Sequence, residues 1–184
     1  MLVRVLPRPC FTTLFKFQGV VLKDKTSILF VCLGNICRSP TAHGVFEHLL
    51  RQEGVESRFL VDSAGTGDWH LGKAPDPRTR AAAARRGYSL DHLRARTLTD
   101  EDFSRFDYIL AMDAANLRDL RVRCPRGYQG HLGLFLEFAP NSPVTEVPDP
   151  YYTSGERGFD EVLDLVEAAS AGLLRHLRTE AGRD

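Results

Sequence analysis

The stretch Ser27–Leu50, SILFVCLGNICRSPTAHGVFEHLL, constrains this chain more than any other. Ile28 to Val31, then Cys32, make a β-prone apolar run; Leu33–Cys37 follows with Gly34 and Asn35, and then an amphipathic stretch. That order predicts a buried strand, a tight loop and a helix. Ser39 is placed at the N-cap and Pro40 at the first helical position, where its missing N–H costs nothing. Ala42, Val45, Phe46, Leu49 and Leu50 recur at helical spacing and define one apolar face. Gly34 and Asn35 are the residues expected to carry left-handed backbone in so tight a turn.

Such a loop has a definite chemistry. Closing onto a helix N-terminus, it aims several backbone N–H groups at one spot, backed by the positive end of the helix dipole. A phosphate dianion fits there. Arg38, six residues after Cys32, brings a planar guanidinium that grips two phosphoryl oxygens at once. Cys32 is predicted at the bottom of this cradle, where the same field favours a nucleophilic thiolate. The competing view, that Cys32 merely fills a core as free cysteines often do, leaves Arg38 unexplained.

The motif VCLGNICRSPTA, close to the amino end, resembles the low-molecular-weight protein tyrosine phosphatases. Further similar segments, SAGTGDWHLG with PDPR, YILAMD with NLRDL, and VPDPYY, extend the resemblance from about Ser27 to about Leu177. The resemblance implies a three-layer, flavodoxin-like α/β fold with a central four-stranded parallel sheet. It also implies catalysis by Cys32, Arg38 and Asp149, with a phosphate-binding loop of Leu33, Gly34, Asn35, Ile36, Cys37 and Ser39. Trp69, Tyr151 and Tyr152 are the implied walls of the substrate mouth, and Cys37 the implied partner of Cys32 in a reversible, protective disulfide.

Composition bounds the alternatives. The length of 184 residues suits one domain with a proper core, here assigned to residues 27–180. Lysine plus arginine equals aspartate plus glutamate at 24 each, so no bulk charge points to nucleic acid or a membrane surface. No apolar run is long enough to span a bilayer. Four cysteines without regular spacing make neither a disulfide framework nor a zinc site, and a free-thiolate mechanism fits a reducing, cytoplasmic setting. Residues 1–26 are basic, with Asp24 as their only acid. They read as a poorly ordered extension, or the product of an upstream start codon, with an organelle transit peptide as the alternative.

Along the rest of the chain, strands alternate with helices, which implies a parallel sheet covered on both faces. Strands are expected over 58–64, 107–112 and 132–136. Asp76 and Pro77 open an alanine-rich helix that Gly87 closes, and Gly54 stops the first helix. Thr99 to Asp102 is a near capping box for a short helix ending around Arg105. Asp113 caps the next helix, which leaves it no need of a catalytic or metal-binding role. A long amphipathic helix from Gly158 onward is read as packing alone.

Prolines on both sides of Asp149 fix one carboxylate on a loop. Breaking a phosphate ester near neutral pH needs a proton for the leaving oxygen, and Asp149 can hold it. Tyr151 and Tyr152 then stack against the incoming ring. The expected partners are phosphotyrosine proteins or small aryl phosphates, and the reaction needs no metal or organic cofactor. Three competitors share the loop. Protein-arginine phosphatases resemble it with threonine in place of Ile36, and an apolar Ile36 suits an aryl ring better. Arsenate reductases need relay cysteines, and none lies between Cys37 and Cys124. A phosphotyrosine-binding module without turnover has no use for Cys32, Arg38 and Asp149 together. His43 stands where relatives of the family commonly carry glutamate, and is expected to be a surface change without catalytic work.

Overall fold

The computed structural model describes residues 25–152 and 155–181. Four strands form one sheet: β1 (Thr26–Cys32), β2 (Phe59–Gly65), β3 (Tyr108–Ala111) and β4 (His131–Leu134). Their order is β2-β1-β3-β4 and every neighbouring pair is parallel. Parallel pairing requires crossovers, supplied by helices α1 (Arg38–Gln52), α2 (Pro77–Arg85), α3 (Asp102–Arg105) and α4 (Ala114–Arg123), with α5 (Arg157–Ala181) closing the chain. The chain leaves β1 toward one edge and returns to β3 on its other side. The carboxyl ends of β1 and β3 therefore flank a switch point, where ligands to such sheets bind. This is the expected flavodoxin-like α/β arrangement.

The period of two along β1 sorts its side chains between two cores. Ile28, Phe30 and Cys32 share a cluster with Val45 and Phe46 of α1 and Val166 and Leu173 of α5. Leu29 and Val31 point the other way, to Phe103 of α3 and Leu117 and Leu120 of α4. Phe30 meets Phe46 and Phe135 edge-on, at centroid distances of 5.9 and 4.9 Å. Truncating it to alanine should cost about 3–5 kcal/mol through lost burial and a residual cavity. This rigid central strand ends at Cys32, which pairs with Gly65 one step beyond the last β1–β3 pair, Val31 with Ala111.

Several boundaries differ from the sequence expectation. Helix α1 begins at Arg38 with Cys37 before it and no side-chain cap, so Ser39 is not its N-cap and Pro40 is not its first residue. Pro40 is still tolerated, because first-turn N–H groups have no intrahelical acceptor. The Ser39 hydroxyl is used elsewhere, as described below. β2 starts one residue late, after a 3₁₀ turn over Glu56–Arg58. β4 stops at Leu134, and Phe135–Phe138 coil into a 3₁₀ turn beneath α5. Gly172 makes that approach possible: a Cβ there would lie 1.7 Å from the Phe138 carbonyl oxygen. Of the near capping box only half forms, with the Thr99 N–H donating to the Asp102 carboxylate at 2.9 Å.

The remaining helix signals behave as read. The Asp76 carboxylate accepts from the Arg78 N–H at 2.8 Å with Pro77 next, and Asp113 accepts from the Asn116 N–H at 2.7 Å. Gly54 and Gly87 take positive φ where α1 and α2 stop. The extension assigned to 1–26 lies outside the described residues up to position 24, while Thr26 already belongs to β1. Among the described residues no helix is long and apolar enough to cross a membrane.

Candidate active site

The Cys32–Ser39 loop is held from outside through its carbonyls. Cys32 O accepts from the Thr66 N–H and Leu33 O from the Gly67 N–H, both at 2.9 Å; Ile36 O accepts from the Asp76 N–H at 2.8 Å. Cys37 O accepts from the N–H of Thr41 at 3.2 Å and its hydroxyl at 2.8 Å. With the oxygens bonded outward, the N–H groups of Leu33, Gly34, Ile36 and Cys37 take no acceptor among the described residues. Inward-facing amides at a helix N-terminus form an anion nest. Cys32 Sγ sits at its floor, 3.3 Å from the Asn35 N–H and 3.1 Å from the Ser39 hydroxyl.

One residue of the loop carries left-handed backbone, Asn35 at φ 53°. Its side chain stabilises that conformation by bonding three ways. The Nδ2 group donates to Ser39 Oγ at 2.8 Å and Ser63 Oγ at 3.0 Å, and Oδ1 accepts from the Arg96 N–H at 3.0 Å. Gly34, also expected to be left-handed, has ordinary φ. It is needed for space instead, since a Cβ there would come 3.0 Å from the His70 ring. Gly65 serves the same purpose opposite, where a Cβ would lie 2.8 Å from the Leu33 carbonyl oxygen.

Arg38 is buried and bridges three elements. Nη1 donates to Asp113 at 2.5 Å and to the Val147 carbonyl at 3.3 Å; Nη2 donates to Asp149 at 2.9 Å. Burial opposes its charge, but Cys32, Asp113 and Asp149 together hold the guanidinium above its ordinary pKa. A guanidinium has five N–H donors. Three are used here, which leaves the Nε–H and one Nη2 N–H, on adjacent atoms, for two oxygens of an anion. Asp113 thus has a task beyond capping α4, contrary to the sequence reading: it orients Arg38.

Asp149 sits on a loop anchored by the Val147 N–H to Met112 O at 2.8 Å, just past β3. Its second oxygen accepts from the Tyr151 N–H at 3.1 Å, and Pro150–Tyr152 coil into a 3₁₀ turn. Tyr151 and Tyr152 meet edge-on at 5.3 Å, and the Arg78 guanidinium lies 5.4 Å from the Tyr151 ring. These tyrosines, Trp69 and His70 enclose, with Cys32, Leu33, Gly34, Ile36, Cys37, Arg38 and Asp149, a cavity of about 200 Å³. Trp69 and Tyr152 are 58 % and 80 % exposed, so they form a rim rather than core. A larger groove of about 790 Å³ between Asp100 and His131 gathers no comparable nucleophile, guanidinium and acid.

Every residue singled out in the sequence for this site converges on it, Cys37 included. Burial and neighbouring anionic groups push the Cys37 thiol up to about 12. Both Cys32 and Cys37 are free thiols. Residues missed by sequence reading are Asp113 as the arginine's partner, His70 in the wall, and Ser63 and Arg96 behind Asn35. A serine in a strand and an arginine in a loop carry no local signal of such work. His43 is a correction. It is not a surface residue but is 6 % exposed, with Nδ1 3.2 Å from Ser63 Oγ, because its turn of α1 faces β2.

Comparison with known proteins agrees with this geometry. A low molecular weight protein-tyrosine-phosphatase of Bacillus subtilis is 41 % identical over 154 residues, 84 % of this chain and 97 % of the relative. A low molecular weight phosphotyrosine protein phosphatase of Schizosaccharomyces pombe is 47 % identical over 142 residues, 76 % of this chain and 90 % of the relative. A solved protein tyrosine phosphatase of Entamoeba histolytica, with Hepes in its active site, superposes with a TM-score of 0.80 at 40 % identity. It covers 87 % of this chain and 100 % of its own. The family model described as low molecular weight phosphotyrosine protein phosphatase matches residues 27–183. With its nest, buried arginine and proline-flanked aspartate in register with that match, the chain belongs to the low-molecular-weight phosphotyrosine protein phosphatase family.

Proposed function

We propose that this protein is a tyrosine phosphatase that works through a phosphocysteine on Cys32, with Asp149 as general acid and residues 27–180 as its phosphatase domain. One observation carries the reading. Cys32 Sγ lies at the floor of an amide nest whose arginine is bonded directly to Asp149. Nucleophile, charge clamp and proton donor therefore share one geometry.

In the first step the Cys32 thiolate attacks phosphorus while Asp149 gives its proton to the phenolic oxygen. The S–P bond forms as the P–O bond to the ring breaks. The nest N–H groups and the two remaining donors of Arg38 hold the equatorial oxygens, where the charge of a loose transition state resides. In the second step Asp149, now ionised, takes a proton from water as the oxygen displaces the thiolate. The Ser39 hydroxyl, 3.1 Å from Sγ, donates to that departing sulfur. These side chains complete the cycle without a metal or organic cofactor. Leu33, Ile36 and the rim of Trp69, Tyr151 and Tyr152 suit an aryl ring, so phosphotyrosine proteins or small aryl phosphates are the proposed substrates. A catalytic free thiolate suits a reducing compartment such as the cytoplasm.

The test is p-nitrophenyl phosphate hydrolysis by wild type and Cys32→Ser, with mass spectrometry of acid-quenched wild type. Turnover and a phosphorylated Cys32 are expected in wild type, and a loss on the order of 10⁴-fold or more in the variant. Absence of turnover would leave a binding module instead. Faster release of phosphate from phosphoarginine than from phosphotyrosine peptides would reassign the substrate.

A further inference from the structure

Behind the phosphate loop, on the far side of Ser63, lies a cluster that the phosphatase reaction does not use. His43 and Glu47 sit one turn apart on α1, with His43 Nε2 3.3 Å from Glu47 Oε1. His92, from the loop after α2, brings its Nε2 to 3.0 Å from Glu47 Oε2. The two imidazole rings stand at 87° with centroids 6.2 Å apart. One ligand atom from each of the three residues lies within 4.8 Å of the others. We propose that His43 Nε2, Glu47 and His92 Nε2 form a zinc-binding site.

Three observations point to zinc rather than to a plain histidine–carboxylate cluster. The first is the donor set. Two imidazoles and one carboxylate are a combination that zinc takes with a fourth position left to water. The second is spacing. Tetrahedral zinc with bonds near 2.0–2.1 Å sets its ligand atoms about 3.3 Å apart; His43 Nε2 is 3.3 Å from Glu47 Oε1, His92 Nε2 is 3.0 Å from Oε2, and one ligand atom from each residue lies within 4.8 Å of the others. Sharing one carboxylate oxygen then needs a short adjustment of the half-exposed His92 side chain toward His43.

The third is the support behind the ligand. A metal-bound histidine almost always has its other ring nitrogen fixed by an oxygen acceptor. His43 has this arrangement: its Nδ1 is 3.2 Å from Ser63 Oγ, which is itself held by Asn35 Nδ2 at 3.0 Å. Each imidazole would give zinc its Nε2 lone pair and keep its proton on Nδ1. The Arg51 guanidinium, 3.7 Å from Glu47 Oε2 and half-exposed, is the one competing cation among the described residues and can turn to solvent. Through Ser63 and Asn35 the ion would brace the left-handed turn that shapes the phosphate loop. It would lie outside the catalytic cavity, whose lining includes none of the three ligands.

The catalytic thiolate is itself a zinc ligand, so the test separates the two sites. Zinc affinity is measured on the full chain carrying Cys32→Ser by competition with a chromophoric chelator. It is then measured on that variant with His92→Ala or Glu47→Gln added. The expected result is one tight equivalent in Cys32→Ser, weakened at least about tenfold by either second substitution. Cobalt in the same background should show visible ligand-field bands without the thiolate charge-transfer absorption in the near ultraviolet. Zinc should raise the melting temperature of Cys32→Ser and leave that of Cys32→Ser with His92→Ala in place. Zinc binding that disappears with Cys32, or that is indifferent to His92 and Glu47, overturns the proposal; so does its absence. None of these readouts depends on phosphatase turnover.

Discussion

The two loops that meet at Arg38 are built on opposite principles. The Cys32–Ser39 loop is tied down along its length: the carbonyls of Cys32, Leu33, Ile36 and Cys37 to flanking backbone, Asn35 to two serines and to the Arg96 amide, Ser39 to Cys32. The Val147–Tyr152 loop is pinned at Val147 and by the two bonds of Asp149, and its tyrosines stand in solvent. The contrast follows from what each must do. Stabilising charge on a transferring phosphoryl group demands donors fixed in advance, because any reorganisation during the reaction is lost stabilisation. In the proposed mechanism Asp149 and the aromatic rim must instead admit a bulky ring and release it.

The comparison can be broken by substitutions on either side. Asp149→Ala should cost about 10²–10⁴-fold in kcat for phosphotyrosine, with a smaller loss for p-nitrophenyl phosphate, whose leaving group needs less protonation. Steady-state kinetics on both substrates checks this, and equal losses would remove Asp149 from the proton role. Asn35→Ala strikes the rigid loop. Alanine at φ 53°, with the partners of Asn35 stranded, should destabilise by about 2–4 kcal/mol in chemical denaturation and lower kcat at least about tenfold. If stability falls while kcat holds, the loop does not need to be fixed in advance.

Smaller effects sharpen the contrast. Tyr152→Ala on the open rim should raise KM by roughly 2- to 10-fold, the value of one aromatic contact, with little change in stability. Smallest is a pH effect from Cys37, whose thiol in the folded state is raised from 9.0 to about 12 by burial. The unfolded chain therefore loses this proton first. The associated stability is fully present below about pH 9 and declines as pH rises toward 12. Denaturation of wild type and Cys37→Ala between pH 8 and 11 should show the shallower alkaline decline in the variant. The high value also predicts that iodoacetamide labels Cys32 before Cys37 at pH 7.5.

How much of this was legible in the sequence varies by region. The strand–loop–helix around Cys32 was readable because its signals are local: a β-prone run, turn residues and an amphipathic period within 24 consecutive residues. Asp149 was readable because prolines flank it and the family motif repeats it. The start of α1 is not legible locally: Ser39 has the chemistry of a cap, and only the fold shows its hydroxyl turned to Cys32. The end of β4 is not legible either, because Phe135 and Leu136 are apolar enough for a strand. Their 3₁₀ turn depends on α5 arriving at Gly172, 37 residues after Phe135, from the far end of the chain.

The sequence by itself determined the side chains on which the proposed chemistry rests: a cysteine, an arginine six residues on, and an aspartate locked between prolines, set in alternating strands and helices. Side-chain type and short-range spacing suffice for that, since they act within one loop. Only the tertiary structure decided who holds these groups in place. Asp113 turned from a helix cap into the arginine's anchor, and His43 from a surface residue into a buried neighbour of Ser63. Those roles join residues 20 and 75 positions apart, and such contacts exist only once the parallel sheet has set its register.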